Sequence, residues 1–165
     1  LSEPGCDPGR HRNQALFRYL YGATQEEVRI QGEEVSFLGE SVLFSSRHGA
    51  SAALERVAKR LEAETARDPA LLAYILPSPG AFFWRTIEKS ERLSPHSFGI
   101  ALDLNVSKGP YWRWAEASSP AVRKARENYP QAIVDAFEAE GFIWGGKWSH
   151  FDFMHFEYRP ELTGR

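Results

Sequence analysis

The 165-residue chain has a single cysteine and no long apolar stretch. Cys6 cannot form a disulfide within the chain, so no disulfide framework is expected. No apolar run reaches the roughly 18 residues that a membrane-spanning helix needs. The 20 basic and 22 acidic residues nearly cancel, and such a balance gives no reason to expect a nucleic-acid partner. These absences favour a globular protein without a transmembrane segment in this chain.

Three common catalytic motifs are also missing. There is no H-E-x-x-H, which excludes the helical zinc-protease class that uses it. There is no G-x-S-x-G elbow for a serine nucleophile, and Cys6 lies in an irregular terminus. No G-x-x-x-x-G-K-[ST] phosphate loop occurs. The chemistry must therefore be sought in other residues.

The length suits one domain with one core. Residues 1–9 contain two prolines and two glycines without periodicity, which predicts an irregular lead-in. Residues 10–160 are predicted to form the single domain, and residues 161–165 a loose tail. No internal repeat or linker divides the chain, and we expect a monomer.

Hydrophobic periodicity predicts both helices and strands. Apolar stripes, capping residues and prolines indicate four helices, with a fifth, short one over residues 111–116. The four main helices are predicted over residues 10–21, 50–66, 69–76 and 130–140. Short runs rich in β-formers predict strands. They comprise a hairpin over 27–38, single strands over 81–85 and 98–105, and a closing hairpin of 142–144 with 151–158. This order favours an α+β fold with a small antiparallel sheet and flanking helices.

Two clusters of histidine and acidic residues stand out. His96 and Asp103 lie in the stretch SPHSFGIALDLN, and the second cluster is HFDFMHFE at residues 150–157. Zinc binds imidazole nitrogen and carboxylate oxygen, and a catalytic site keeps one position open for water. The alternative is that these are capping or surface residues. On a flat strand His96 and Asp103 would face opposite ways, so a shared metal requires a turn, for which Gly99 is well placed.

The two clusters together resemble the motifs of a known peptidase family. Ser94-x-His96-x-x-Gly99-x-Ala101-x-Asp103 is similar to the S-x-H-x-x-G-x-A-x-D motif of the D-alanyl-D-alanine carboxypeptidase family of zinc peptidases, the M15 type. Asp152-x-x-His155-Phe-Glu157 resembles its second motif, in which several branches have Glu where this chain has Asp. The Gly-Gly-Lys-Trp run at 145–148 resembles the approach to that motif. The resemblance covers roughly residues 80–160.

The resemblance implies a role for each matching residue. The implied zinc ligands are His96, Asp103 and His155. Asp152 is implied as the general base that takes a proton from the attacking water, and a turn is needed to bring it near His155. Arg85 resembles the arginine that binds a substrate carboxylate. Ser94 and His150 are further candidates for substrate contact, and Glu157 for orienting a metal ligand.

The resemblance also implies a fold and a function. The fold is that of Hedgehog domains and D,D-peptidases, with a zinc cleft on one sheet face. The leading hypothesis is a zinc-dependent peptidase that removes the terminal D-Ala from peptidoglycan stem peptides. One alternative is a cell-wall endopeptidase of the L-Ala-D-Glu type, and another is a non-catalytic zinc-containing binding module. Such an enzyme is expected in the bacterial cell envelope, periplasmic or extracellular, with its signal peptide removed.

Overall fold

Helices surround two small antiparallel sheets in the computed structural model, which describes residues 7–164. The helices are α1 (Gln14–Tyr21), α2 (Gln25–Ile30), α3 (Ala50–Arg67), α4 (Leu72–Ile75), α5 (Pro120–Asn128), α6 (Gln131–Glu138) and α7 (Pro160–Thr163). The strands are β1 (Gly32–Phe37), β2 (Glu40–Ser45), β3 (Ala101–Asp103), β4 (Phe142–Trp144) and β5 (His155–Tyr158). The predicted α+β class is thereby confirmed. Cys6 lies outside the described residues.

The first hairpin begins later than predicted. Residues 25–30 are helical, because Thr24 caps the helix by accepting a hydrogen bond from the Glu27 amide while the Glu27 carboxylate accepts one from Ala23. The hairpin is therefore β1 with β2, joined through Leu38 and Gly39, both at positive φ. The hairpin predicted over 27–38 was therefore wrong: its first arm is helical, because the capping pattern at Thr24 was not recognised.

The second sheet positions the candidate site. Its strand order is β3-β5-β4, all antiparallel, and Asp103 of β3 pairs directly with His155 of β5. Alternation along β5 sends Phe156 to one face, where its ring stacks on Phe137 of α6 at 4.0 Å between centroids. His155 and Glu157 point to the opposite face, together with Asp103. The helix-covered face is thus the core, and the other face carries the histidine and acidic residues.

The two predicted single strands differ from the structure. Residues 81–85 form no strand; the chain there makes only isolated bridges on either side, Gly80 with Asp103 and Thr86 with Leu93. The strand predicted over 98–105 is limited to Ala101–Asp103, and residues 95–98 form a 3₁₀ turn instead. The closing hairpin is confirmed as β4 with β5. Strand length was overestimated wherever an apolar run continued into a buried turn.

The helix predictions succeeded where a stripe of buried apolar residues was clear, as in α3 and α6. α1 and α6 fall within the predicted ranges, α3 extends one residue beyond its predicted range, and residues 69–75 form a 3₁₀ turn continued by α4. Residues 111–116 form turns without a helix. The prediction missed α5, although Ser119 caps it and Pro120 occupies its first turn. α7 lies where a loose tail was predicted from residue 161 onward.

The chain before α1 is hydrogen-bonded to residues on either side of the second histidine and acidic cluster, residues 150–157. Trp148 donates its indole N–H to the Pro8 carbonyl at 2.7 Å, and Arg159 donates to the Gly9 carbonyl at 2.5 Å. The described part of the predicted lead-in is therefore fixed by hydrogen bonds to residues near the other end of the chain. Among residues 7–164, no helix is both long and apolar enough to cross a membrane.

Candidate metal centre

His96 is held so that one ring nitrogen is free. The residue is buried in the 3₁₀ turn of Pro95–Phe98, and its Nδ1 lies 2.7 Å from the Ala81 carbonyl oxygen, to which it donates. Nε2 is buried without a hydrogen bond and lies 3.2 Å from Asp103 Oδ1. A hydrogen bond at one nitrogen fixes the tautomer and leaves the lone pair of the other available to a metal.

Gly99 makes the turn that brings His96 onto the same side as Asp103. It has φ +63°, in the left-handed region, and it ends the 3₁₀ turn. A Cβ at this position would also lie 3.2 Å from the Ser45 amide nitrogen. The predicted turn between the two residues is thereby confirmed.

Asp103 and His155 form a cross-strand pair on the open face of the sheet. Asp103 Oδ1 lies 3.0 Å from His155 Nδ1, and the His96 and His155 rings are 5.1 Å apart between centroids. One candidate ligand atom from each of His96, Asp103 and His155 can be chosen so that all lie within 4.8 Å of one another. Two imidazole nitrogens and one carboxylate oxygen form a donor set that suits zinc.

The electrostatics of this cluster favour a cation. Burial raises the pKa of Asp103, but the adjacent His96 and His155 lower it well below its usual range. Burial lowers the pKa of His155, yet its hydrogen bonds to Asp103 and Glu157 raise it to about 9 overall. A positive charge is thus stabilised between the half-buried carboxylate of Asp103 and the fully buried carboxylate of Glu157, and a divalent metal ion would meet the same field. The orphaned His96 nitrogen and these charges fit a metal.

Glu157 lies behind His155 and is fully buried. Its Oε2 is 3.3 Å from His155 Nε2, so the ring N–H there can donate to Glu157 while Nδ1 faces Asp103. Arg12 donates to the same carboxylate through Nε at 2.8 Å and Nη2 at 2.5 Å, and Arg159 adds a contact at 3.1 Å. Burial raises the pKa of Glu157, but the Arg12 charge and these hydrogen bonds lower it well below its usual range.

Arg12 was missed by the sequence analysis. It lies 145 residues from Glu157 along the chain, and no local motif marks it. Its side chain is almost wholly buried, which for an arginine requires a partner. Only the three-dimensional structure reveals that pairing.

Asp152 lies beside the three-residue cluster, with one carboxylate oxygen unengaged. The chain turns at Phe153 and Met154, as the proposed approach of Asp152 to His155 requires. Oδ1 of Asp152 is buried and has no hydrogen-bond partner among the described residues. Burial raises the pKa of this carboxyl to about 6. A carboxylate with such a pKa is suited to exchange protons near neutral pH.

Gly145 determines how closely Asp152 approaches. The Gly145 carbonyl accepts a hydrogen bond from the Asp152 amide at 3.0 Å. A Cβ at Gly145 would lie 2.6 Å from the Asp152 carbonyl oxygen, closer than real contacts allow. The Gly-Gly run that resembles the family motif thus has a physical reason in this structure.

The remaining predicted residues, Arg85, Ser94 and His150, line the same pocket but differ in their exposure and in their hydrogen-bond partners. Arg85 is exposed at its wall, and Ser94 is buried beside Pro95. His150 lines the pocket too, but its Nδ1 lies 2.5 Å from Asp7 Oδ2 and its amide donates to Asp7 Oδ1. These placements are compatible with substrate contact for Arg85 and Ser94, while His150 also has a structural partner. Their roles stay predictions.

Aromatic rings complete the walls. Trp148 is tilted against His155 at 5.8 Å between ring centroids, and Trp112 lies edge-on to His150 at 4.8 Å. Trp144, in contrast, stacks on Tyr129 in the core and donates its indole N–H to the Phe153 carbonyl. Of the tryptophans in the closing segment, Trp148 thus faces the site and Trp144 does not.

An open cluster of two histidines and one aspartate, with a free carboxylate beside it, is the type of centre found in metal-dependent hydrolases. Residues 88–158 match a family model described as D-alanyl-D-alanine carboxypeptidase, of the M15 peptidases. This match confirms the resemblance found in the sequence. The segment contains the three clustered residues, Asp152 and Glu157, whereas Arg12 and Arg85 precede it. The M15 peptidases are zinc-dependent, and the match supports a metallopeptidase.

Proposed function

We propose that this protein is a zinc-dependent D-alanyl-D-alanine carboxypeptidase that hydrolyses the terminal peptide bond of peptidoglycan stem peptides. The observation that carries the proposal is the convergence of three groups in one pocket. These are the His96–Asp103–His155 cluster, the unengaged oxygen of Asp152 and the guanidinium of Arg85. The family match over residues 88–158 supports the same class of reaction.

Each group has a distinct task in the proposed reaction. His96 Nε2, Asp103 Oδ1 and His155 Nδ1 would hold the zinc ion. Zinc bound there would supply a Lewis acid that polarises the scissile carbonyl and acidifies water. Asp152 takes a proton from the attacking water at Oδ1 and returns it to the amine of the departing D-Ala. Arg85 binds the carboxylate of that D-Ala through its planar fork, which orients the bond.

The retained carboxylate favours catalysis over a binding module. A module that only bound zinc would need no further carboxylate in the pocket with an oxygen that accepts no hydrogen bond. Asp152 nevertheless has such an oxygen, and its burial without a partner destabilises the ionised carboxylate. We place the reaction in the cell envelope, periplasmic or extracellular, because its substrate is the cell-wall peptide.

The test is mass-spectrometric product analysis with a muropeptide that ends in D-Ala-D-Ala. We expect the zinc-loaded protein to release one D-Ala and a chelator to abolish the release. Asp152→Asn should bind one equivalent of zinc and lose activity by a factor of about 100 or more, since proton transfer contributes at least that much. Asp135→Asn, an exposed carboxylate on α6, serves as the matched control and should retain activity.

Three results would contradict the proposal. Cleavage at another bond would make the protein an endopeptidase. Zinc binding without any cleavage would favour the non-catalytic module. Full activity in Asp152→Asn would remove Asp152 from the mechanism.

A further inference from the structure

Residues 85–94 form a short antiparallel ribbon, which we call the arginine ribbon, on one wall of the pocket. The Ser94 amide donates to the Arg85 carbonyl at 3.0 Å, and the Ile87 amide donates to the Arg92 carbonyl at 2.8 Å. Between these bonds, Thr86 and Leu93 form an antiparallel bridge. Two arms of extended chain are therefore paired in a defined register.

The register sends four side chains to the same side. In an antiparallel pair, residues next to the bridging pair on either arm project opposite to the bridging residues. Arg85, Ile87, Arg92 and Ser94 accordingly all line the pocket that contains the metal-centre residues. Leu93 projects the other way and is buried in the core. The ribbon thus presents two guanidiniums to the pocket.

Neither guanidinium has a partner among residues 7–164. Arg85 and Arg92 are both exposed, and only their backbone atoms take part in the hydrogen bonds of the described structure. The other two arginines of the pocket differ, because Arg12 is paired with Glu157 and Arg10 lies 3.7 Å from Asp7. The pocket therefore holds two guanidiniums available for ligands.

The two free arginines lie at different places along the wall. Arg85 lies opposite Ser94 on the ribbon, and Arg92 lies opposite Ile87, two residues further along, so the two arginines are diagonal neighbours. Diagonal neighbours on paired strands have their Cα atoms about 7–8 Å apart. In an extended peptide, two residues along the chain span about 7 Å.

We propose that the arginine ribbon is a two-point clamp for a peptide that carries two carboxylates. Arg85 binds the carboxylate of the C-terminal residue. Arg92 binds a second carboxylate, on the side chain of the residue two positions before the C-terminus. The preferred substrate class is therefore a stem peptide whose third residue is a diamino-dicarboxylic acid, in preference to one whose third residue lacks the side-chain carboxylate. This inference rests on the proposed carboxypeptidase function.

The test compares two synthetic pentapeptides that differ in one group. Both have the order L-Ala, γ-linked D-Glu, meso-diaminopimelate, D-Ala, D-Ala; in one, the side-chain carboxylate of diaminopimelate is free, and in the other it is the neutral amide. We expect kcat/KM of the zinc-loaded wild type to favour the acid form by about tenfold or more, the range of a hydrogen bond to a charged group.

Variants assign the preference to one arginine. Arg92→Gln should abolish the preference by lowering kcat/KM for the acid peptide about tenfold, and Arg92→Lys should restore part of the preference. Arg85→Gln should lower kcat/KM for both peptides while the preference remains. Arg123→Gln, an exposed arginine of α5 without a side-chain hydrogen bond or ion pair within residues 7–164, is the control. An equal kcat/KM for both peptides in the wild type, or an unchanged preference in Arg92→Gln, would overturn the clamp.

Calorimetric binding of the same two peptides to the zinc-loaded protein separates the clamp from the catalytic proposal. If neither peptide is cleaved, the carboxypeptidase proposal fails. Tighter binding of the acid form that is lost in Arg92→Gln would still support the clamp. Equal binding of both peptides would refute it.

Discussion

Asp152 shows how a single carboxyl group can be costly to stability and useful to chemistry. Its Oδ1 is buried without a partner, and burial raises its pKa from 3.8 to about 6. The ionised form is therefore less stable in the folded protein than in the unfolded chain. An unpaired buried acid of this kind is typical of functional sites, where stability is sacrificed for reactivity.

This cost predicts how the stability of the metal-free protein depends on pH. Because the folded-state pKa is raised, the contribution of Asp152 is fully present below about pH 4 and is lost as the pH rises through about 6. Asp152→Asn should thus raise the free energy of unfolding at pH 7 by about 1–3 kcal/mol. At pH 3.5 it should have little effect. Urea unfolding at the two pH values measures this, and equal effects at both would contradict it.

Arg12 acts on the candidate metal centre through Glu157. It is the nearest cation to the buried carboxylate that faces His155 Nε2, with contacts of 2.5 and 2.8 Å. We predict that Arg12→Gln weakens zinc affinity by about 10–100-fold, the range found when the partner of a metal-binding histidine is altered. Competition with a chromophoric chelator measures the affinity. Arg29→Gln, which alters an exposed arginine of α2, is the control, and an unchanged affinity in Arg12→Gln would remove Arg12 from the network.

At the scale of elements, the turn between the 3₁₀ segment and β3 decides whether His96 meets Asp103. Gly99 has φ +63° and the Ser45 amide donates to its carbonyl at 2.7 Å, so the turn is also tied to β2. A side chain here would add backbone strain and a close contact with Ser45. The first hairpin thus helps to position the site although it contributes none of the clustered residues.

Two glycine substitutions separate strain from crowding. Gly39 also has positive φ but has open space around its Cβ position, whereas the added Cβ at Gly99 would lie 3.2 Å from Ser45 N. Both alanine variants should lose about 1–2 kcal/mol from left-handed strain. Gly99→Ala should lose more and should also weaken zinc binding. Thermal unfolding and metal titration provide the measurements, and equal losses in stability with unchanged zinc affinity would refute the role given to this turn.

At the scale of the whole molecule, sequence reasoning succeeded where the signal was local. The approach of His96 to Asp103 could be predicted, because strand alternation required a turn and Gly99 could form one. The approach of Asp152 to His155 followed from the same argument. The α+β class followed from periodicity.

Several failures arose where distant parts of the chain decide the local structure, whereas α2 and α5 were missed although the local capping residues Thr24 and Ser119 mark them. The apolar run at 81–85 is rich in β-formers, yet it forms no strand; on either side of it Gly80 makes a single bridge with the distant Asp103, and Thr86 makes one with the nearby Leu93. Residues 1–9 were predicted to be an irregular lead-in, and residues 10–21 a helix, yet Asp7 binds His150 and Arg12 binds Glu157 across the molecule. Contacts separated by more than 140 residues leave no periodic pattern in a single sequence. The division into lead-in, domain and tail stays a prediction.

The most direct test of the account is calorimetric zinc titration of the wild type and His96→Ala. His96 contributes the buried nitrogen that makes no hydrogen bond, so its removal should affect metal binding before anything else. We predict one equivalent of zinc in the wild type and at least a hundredfold weaker binding in the variant, about 2.7 kcal/mol. His48→Asn, at an exposed position outside the pocket with positive φ that asparagine tolerates, should bind zinc like the wild type. Stoichiometric, tight zinc in His96→Ala would contradict the proposed centre.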